Sequence, residues 1–186
     1  MGRLVENKGC EYVIRAAASL QAEMKGLKLA IIGDGQLRGS LEQVARTESC
    51  DCLFLGAQAP EVVRQWMNRA KVFSTPSITM ENGNAEGFGI VFAEAQAMGA
   101  PVVSFASGGI PEAVEDGVTG LLGPERDWVT LARNLKTLLT DDATWREFSL
   151  AARERVCQKF NLKRQTAILE NIYDNVIEEW RSAAAN

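Results

Sequence analysis

Short apolar segments alternate with helical segments over residues 1–140, and this alternation limits the possible folds more than any other feature. Strands are predicted at 27–32, 52–55, 72–74, 101–105 and 119–122. Helices are predicted around them, at 11–24, 37–48, 60–70, 88–98, 111–114 and 128–139. Brief apolar strands separated by helices are typical of a parallel sheet covered on both faces. The order therefore predicts an α/β fold, a Rossmann-like doubly wound parallel sheet of about six strands with helices on both faces.

The last part of the chain contains only helical patterns. Helices are predicted at 143–160 and 162–181, and the tail 182–186 is expected to fray. The second helix carries one apolar stripe, made of Ile168, Leu169, Ile172, Tyr173, Val176, Ile177 and Trp180. A chain of 186 residues is long enough for one full core. We therefore predict a single domain at 1–186, with an α/β core at 1–140 and terminal helices at 141–183.

Five loops at the predicted carboxyl ends of the strands hold the candidate ligand-binding residues. They span residues 2–8, 33–35, 56–59, 75–87 and 105–109. Right-handed crossovers bring such loops to one edge of the sheet. Ligands of doubly wound sheets bind outside that edge. The sequence therefore predicts one ligand site, built from these loops.

The predicted helix start after residue 86 is the strongest candidate within that site. Gly87 and Gly89 leave backbone N–H groups bare where the helix dipole favours an anion. Glu86 and Glu94 flank these amides, and their spacing predicts a separation of roughly 10–12 Å at about 1.5 Å per helical residue. That distance suits one carboxylate near a sugar ring and the other near a ribose, with a diphosphate between them. The alternative is one capping and one solvated glutamate.

The glycine-rich segment 2–9 contributes two cations, Arg3 and Lys8. They are either phosphate ligands or ordinary surface charges. In an α/β fold such a loop follows a buried strand. Met1 stands where that apolar segment is expected, so we expect the chain to be one half of a longer protein.

Composition and motif spacing exclude several classes of function. The net charge of −4 does not suggest a nucleic-acid partner. The absence of histidine excludes a Cys/His metal site and a Ser-His-Asp arrangement, and the four cysteines are expected to be free thiols. The turn at 33–35 does not continue into a dinucleotide motif, because position 38 is arginine. No apolar run reaches the roughly 18 residues of a membrane span, and the chain starts without a signal-peptide pattern, so a cytoplasmic protein is expected.

Several of these motifs, in this order, resemble one enzyme family over residues 2–180. The motifs are Gly2-Arg3-Leu4 with Lys8-Gly9, Gly33-Asp34-Gly35, Pro76-Ser77, Glu86-Gly87-Phe88-Gly89 with Glu94-Ala95, Gly99 with Pro101-Val102-Val103, Gly109-Ile110-Pro111-Glu112, and Asp116-Gly117 with Gly120. Together they are similar to the C-terminal, donor-binding domain of family 4 retaining glycosyltransferases, which have the two-domain GT-B architecture. The segment 76–126 is most similar to bacterial enzymes of exopolysaccharide, capsule or lipopolysaccharide synthesis.

The resemblance implies a role for each candidate residue. The residues that would act on the diphosphate and sugar of a UDP-sugar or GDP-sugar are Gly2, Arg3 and Lys8, the carboxylate of Glu86, and the backbone amides of Gly87, Phe88, Gly89 and Ile90. Glu94 would bind the ribose hydroxyls. Gly33 and Gln58 would mark the loops near the base. The family transfers a hexosyl group with retention and without a bound metal, and the departing phosphate is thought to deprotonate the acceptor.

The resemblance also implies that part of the enzyme lies outside this chain. The N-terminal domain, which in this family carries most of the acceptor site and any peripheral membrane contact, is absent from the sequence. The final helix is expected to cross to that domain, so part of its apolar stripe is expected to be exposed or buried in a dimer. We therefore expect the chain alone to bind a nucleotide-sugar weakly and to transfer nothing.

Two other classes of function remain as alternatives. The first is a non-catalytic nucleotide-binding or interaction module that has kept the fold. The second is another GT-B enzyme. A nucleotide-sugar epimerase would need acid and base residues around the sugar, often including histidine. A phosphorylase would need a pyridoxal lysine, and no lysine lies between Lys71 and Lys136.

Overall fold

The fold is described here for residues 1–184 of a computed structural model. Its strands are β1 (Leu29–Ile31), β2 (Cys52–Phe54), β3 (Phe73–Ser74), β4 (Val102–Phe105) and β5 (Gly120–Gly123). Its α-helices are α1 (Cys10–Glu23), α2 (Arg38–Thr47), α3 (Pro60–Arg69), α4 (Ile90–Ala97), α5 (Ile110–Ala113), α6 (Trp128–Thr140), α7 (Asp142–Lys159) and α8 (Leu162–Ala184). A 3₁₀ turn at Glu6–Lys8 precedes α1. Each element lies where the sequence predicts it, within a few residues.

All strand pairs are parallel, as predicted. β1 pairs with β2, and β3, β4 and β5 form a second sheet in that order. The sequence predicts about six strands in one sheet, whereas the described residues form five strands in two sheets. The sheets are separate because no strand of residues 1–184 lies between β1 and β3.

Helices cover both faces of the three-stranded sheet, which confirms the doubly wound class. Successive residues of a strand point to opposite faces. In β4, Val102 packs into a core cluster with residues of α3, α4 and α5. Val103 packs into a different cluster, with residues of α1 and α6. A third cluster joins α1, β1 and α2.

Local chemistry explains where several helices begin. Pro60 starts α3, at a position where its missing N–H is not needed. The carboxylate of Asp127 accepts a hydrogen bond from the Thr130 amide at 3.0 Å and caps α6. The helix predicted from residue 88 begins at Ile90, because Gly89 has a left-handed φ of 72°.

The two last helices differ in how they contact the core. α7 packs against α4, and Ser149 and Arg153 donate hydrogen bonds to the carbonyls of Gly99 and Met98 at 2.7 and 3.1 Å. α8 is solvent-exposed along its described length, and the apolar stripe from Ile168 to Trp180 is 44–70% exposed. The predicted fraying at 182–186 lies partly outside the described residues, and α8 continues to Ala184.

Candidate functional site

The first three predicted loops are joined by backbone hydrogen bonds at one edge of the molecule. The amides of Gly2 and Leu4 donate to the carbonyls of Ile32 and Asp34 at 3.0 and 2.9 Å. The amide of Gly33 donates to the carbonyl of Gly56 at 2.8 Å. A Cβ at position 33 would lie 1.8 Å from the carbonyl oxygen of Gly2, so the approach of these loops requires glycine there.

The remaining two loops join the same assembly. The amide of Ile78 donates to the carbonyl of Asn7 at 2.9 Å, which ties the loop 75–87 to the loop 2–8. The amide of Gly109 donates to the carbonyl of Glu86 at 2.8 Å. A Cβ at position 109 would lie 1.8 Å from the carbonyl oxygen of Gly87. These bonds connect all five loops from which the site was predicted.

Lys8 and Glu86 form an ion pair at the centre of this assembly, although they are far apart in sequence. Both side chains are largely buried, with 20% and 13% of their surface exposed. The Ser77 hydroxyl donates to the same Glu86 oxygen at 3.5 Å. The sequence indicated each of the charged residues but not their contact. The sequence pointed to Ser77 only as part of the family motif Pro76-Ser77.

Arg3 and Glu94 are exposed, and their charged groups have no partner among residues 1–184. Arg3 lies between Gly2 and Leu4, which bond to the loop after β1. Glu94 lies on the outer face of α4. Among residues 1–184, Arg3 therefore offers a free cation and Glu94 a free carboxylate in addition to the Lys8–Glu86 pair.

The backbone at the start of α4 has several unpaired donors. The N–H groups of Gly87, Phe88, Gly89 and Ile90 donate to no residue in the described range 1–184. Glu86 directly precedes these amides in the chain and forms the ion pair with Lys8. The N-terminal end of a helix carries a partial positive charge. The free amides and the Lys8 ammonium group are therefore suited to bind an anion, and Arg3 lies in the same loop as Lys8.

Two further predicted residues have local partners. The Gln58 side chain donates to the carbonyl of Leu55, within its own loop. The Phe88 ring packs edge-on against Phe160 at the end of α7, with ring centroids 5.1 Å apart. The Phe88 side chain therefore holds the helix start in place, while its amide stays unpaired.

Glu125 is a positioning residue that the sequence analysis missed. Its carboxylate accepts hydrogen bonds from the amide and the hydroxyl of Thr79, both at 2.7 Å. Arg126 donates to the carbonyl of Thr79 at 2.9 Å and has an unusual left-handed φ of 65°. Burial raises the pKa of Glu125, but the hydrogen bonds from Thr79 and Ser107 outweigh it, so the pKa is lowered overall. The only sequence signal is a charged pair directly after a strand.

The described residues offer no cluster of three or more His, Cys, Asp or Glu side chains that could hold a metal ion. All four cysteines are free thiols. Burial raises the pKa of Cys50 to about 11 and that of Cys52 to about 12, so both stay protonated at neutral pH.

Among residues 1–184, no helix combines the length and the apolar character that a membrane crossing requires.

Comparison with protein families matches residues 1–141 to Glycosyl transferases group 1. The amylovoran biosynthesis glycosyltransferase AmsK of Erwinia amylovora is 36% identical over 163 residues, which are 87% of this chain and 40% of that protein. A GDP-mannose-dependent monoacylated alpha-(1-6)-phosphatidylinositol monomannoside mannosyltransferase of Corynebacterium glutamicum is 33% identical, over 91% of this chain and 45% of its own length. The chain thus spans less than half of these relatives.

Solved structures share the fold. Alr3699/HepE of Anabaena, crystallised with UDP and glucose, has a TM-score of 0.80 and 26% identity, over 93% of this chain and 47% of that one. The C-terminal domain of LpcC, a glycosyl transferase group 1 family protein of Francisella tularensis, has a TM-score of 0.77 and 22% identity. It covers 87% of this chain and 84% of that one. The fold described here is therefore that of the C-terminal domain of a GT-B enzyme.

Proposed function

The chain belongs to the Glycosyl transferases group 1 family, and from that membership we propose that it is the donor-binding half of a retaining hexosyltransferase. The donor is a nucleotide-sugar, and the acceptor is a glycan or a lipid-linked glycan. The acceptor site belongs to an N-terminal domain that these 186 residues do not include. In the domain that we propose, residues 1–140 form the α/β core and residues 141–183 form terminal helices.

One observation carries the proposal: Glu86, which directly precedes the four unpaired amides of residues 87–90, forms a largely buried ion pair with Lys8. A cation and free amides bind the donor diphosphate, and a carboxylate beside them accepts from sugar hydroxyls. The diphosphate competes with Glu86 for Lys8. Once Lys8 has turned to the phosphate, both Glu86 oxygens are available to the sugar.

The exposed groups complete the donor site. Arg3 gives a second cation for the diphosphate, and its planar group can bind two phosphate oxygens at once. Gly2 lies in the same loop, and because its amide donates to the Ile32 carbonyl, it shapes the loop rather than binding the phosphate through that amide. Glu94 accepts from the ribose hydroxyls on the outer side of α4. The loops at Gly33 and Gln58 border the base, and binding there is through backbone groups.

The charge distribution fits a transfer without a metal ion. The bond between the anomeric carbon and the β-phosphate oxygen breaks, and the leaving diphosphate gains negative charge. Arg3, Lys8 and the amides of residues 87–90 stabilise this charge more strongly in the transition state than in the bound donor. The acceptor oxygen bonds to the anomeric carbon on the same face and gives its proton to the departing phosphate. Glu86 is not a covalent nucleophile in this mechanism.

Relatives support a nucleotide-sugar donor of either common type. The corynebacterial relative is named as GDP-mannose-dependent, and the Anabaena structure contains UDP and glucose. Both UDP-sugars and GDP-sugars are therefore candidate donors. The bacterial relatives also favour a role in polysaccharide synthesis on the cytoplasmic side, where nucleotide-sugars are made.

A thermal-shift and calorimetry panel of UDP, GDP and their sugars tests the proposal on the wild-type chain, Arg3→Ala and Glu94→Ala. Each loss of a charge-assisted hydrogen bond should weaken nucleotide binding about tenfold or more. Lys25→Ala and Glu147→Ala are the matched controls, because these residues are exposed and lie outside the five loops. The proposed site is wrong if binding survives both Arg3→Ala and Glu94→Ala unchanged, or if the control variants weaken it equally.

A further inference from the structure

An open cavity borders the loop 2–8, which also carries Lys8 of the proposed donor site. Its volume is about 300 Å³. It is lined by residues within 5–12, by residues within 37–44, and by Ile78 and Arg126. The amide of Ile78 donates to the carbonyl of Asn7 at 2.9 Å, so the cavity shares its wall with the assembly of loops described above. This cavity is called the side groove below.

The least exposed residues of the side groove are mainly apolar. Leu41 and Ile78 are buried, with 4% and 3% of their surface exposed, and Val5 is half-buried. Tyr12 is half-buried too, because its ring packs edge-on against Phe105 with centroids 5.4 Å apart. The groove therefore offers an apolar surface on which the weakly polar face of a small molecule can pack.

The polar side chains of the side groove are open to a ligand. The Glu6 carboxylate is exposed and has no partner within residues 1–184. The Tyr12 hydroxyl is accessible and forms no hydrogen bond in that range. Arg126 donates to the carbonyl of Thr79 at 2.9 Å, yet 51% of its side chain stays exposed. The groove thus combines a donor, an acceptor and a hydroxyl that can do both.

The charges around the side groove favour a neutral ligand. Glu6 and Glu11 both line it and would repel an anion. Arg126 would repel a cation, and its own charge is partly balanced by the Glu125 carboxylate at 3.6 Å. A sugar ring is neutral, its hydroxyls donate and accept, and its C–H face packs on apolar side chains. A volume of about 300 Å³ is at the low end for small-ligand pockets and suits such a ring.

We propose that the side groove binds one neutral sugar unit of the glycan acceptor, at a subsite separate from the reacting hydroxyl. Tyr12 and Ile78 contact the C–H face of the ring, and Glu6, Arg126 and the Tyr12 hydroxyl bond to its hydroxyls. The N-terminal domain holds the reacting end, so the groove gives a long glycan a second attachment. That this glycan is the acceptor rests on the proposed function, whereas the binding of a sugar does not.

An NMR titration of the 186-residue chain with neutral oligosaccharides tests the proposal. The probes are cellotriose, mannotriose and galactotriose, with inorganic phosphate as the charged comparison. We expect at least one oligosaccharide to shift the amides of 5–12, 38–44 and 126 in a saturable way, with a Kd of about 1 mM or weaker. Phosphate should leave these amides unchanged. The proposal is overturned if no oligosaccharide at roughly 20 mM shifts them, or if phosphate shifts them more strongly.

Two pairs of variants check that the sugar lies in the side groove. Tyr12→Phe keeps the ring and removes only the hydroxyl, so it should weaken oligosaccharide binding about three- to tenfold. Tyr173→Phe, on α8, is its matched control and should have no effect. Ser40→Trp places a large ring at the exposed wall of the groove and should abolish binding. Gln43→Trp, exposed on α2 outside the groove, should not. Equal effects within either pair contradict the proposal.

Calorimetry with UDP and GDP on the same variants separates the side groove from the donor site. Tyr12 and Ser40 lie outside the proposed donor machinery, so both variants should bind the nucleotides as the wild type does. If the wild-type chain binds an oligosaccharide in the groove but no nucleotide, the donor assignment alone is wrong. If it binds a nucleotide but none of the oligosaccharides, the sugar subsite alone is wrong.

Discussion

At the scale of single residues, we expect the Lys8–Glu86 pair to affect the binding of the nucleotide and the binding of the sugar in different ways. Glu86→Gln removes a charge that competes with phosphate for Lys8, and it weakens the contact with sugar hydroxyls. We expect UDP or GDP alone to bind at least as tightly as to the wild type. We expect the corresponding sugar nucleotide to bind about tenfold more weakly. Calorimetry with both ligands measures the two effects on one variant.

Glu81→Gln is the control for that experiment, because Glu81 is an exposed glutamate in the same loop. It should leave both affinities unchanged. Parallel losses of nucleotide and sugar-nucleotide affinity in Glu86→Gln would contradict the assigned role, since they would indicate a general distortion of the loop.

Because of Glu125, the free energy of unfolding is expected to depend on pH. Its pKa is lowered from the ordinary 4.5 in the folded chain, so the unfolded chain binds its proton more tightly. The stability that Glu125 contributes is therefore present above pH 4.5 and is lost as the pH falls through the lowered pKa. Glu125→Gln should reduce the free energy of unfolding by about 1–2 kcal/mol at pH 7. The difference from the wild type should shrink in urea unfolding below pH 4.5.

The same experiment on Glu147→Gln provides the comparison, because Glu147 is exposed on α7 and has no partner within residues 1–184. This variant should follow the wild type at each pH. An unfolding difference for Glu125→Gln that stays constant down to pH 3 would show that the ionised carboxylate is not what holds Thr79.

The residue types of the site could be predicted from the sequence, but their contacts could not. Bare amides next to glycines, and carboxylates around them, follow from local chemistry at residues 86–94. The Lys8–Glu86 pair depends on tertiary packing, because 78 positions separate the two residues. The same holds for Glu125, whose partner Thr79 lies 46 positions earlier. Local patterns carry no information on such pairings.

At the scale of elements, glycine contacts set the position of the helix that carries the amides. Gly109→Ala would place a methyl group against the Gly87 carbonyl, so the loops must separate. We expect a loss of about 1–3 kcal/mol in the free energy of unfolding and weaker nucleotide binding. Chemical unfolding and calorimetry on the same variant measure both.

Gly39→Ala is the matched substitution at a site with open space. Gly39 lies inside α2, and a Cβ there would have no neighbour within 4 Å. Alanine is the better helix former, so this variant should gain about 0.5–1 kcal/mol. If both glycine variants are stabilised, the loop contact at Gly109 is looser than described.

The strands and helices could be predicted almost completely, whereas the division of the sheet could not. Short apolar runs identified the strands, two of them closed by Gly33 and Gly56, and the positions of Pro60 and Asp127 identified two helix starts. The order of strands within a sheet depends on which edges meet in three dimensions. The hydrophobic pattern of the sequence therefore does not predict that β1 and β3 belong to different sheets.

At the scale of the whole molecule, the chain should bind a donor without transferring its sugar. It spans 40–45% of the relatives quoted above, and the acceptor groups are assigned to the part beyond it. Incubation of the purified chain with UDP- or GDP-sugars and glycan acceptors should give no glycosylated product. Calorimetry on the same sample confirms that the donor is bound. Glycosylated product formed by the chain alone would contradict the two-domain assignment.

The family match ends at residue 141, one position before α7 begins at Asp142. Residues of α7 and its end nevertheless contact α4 at both ends of α4, the helix whose start carries the free amides. The Ser149 hydroxyl donates to the Gly99 carbonyl at 2.7 Å, and the Phe160 ring packs against the Phe88 ring with centroids 5.1 Å apart. The segment that matches the family is therefore shorter than the segment that holds the unpaired amides of residues 87–90 in place. Trimming the chain to residues 1–141 would keep the unpaired amides but remove the contacts that hold them in position.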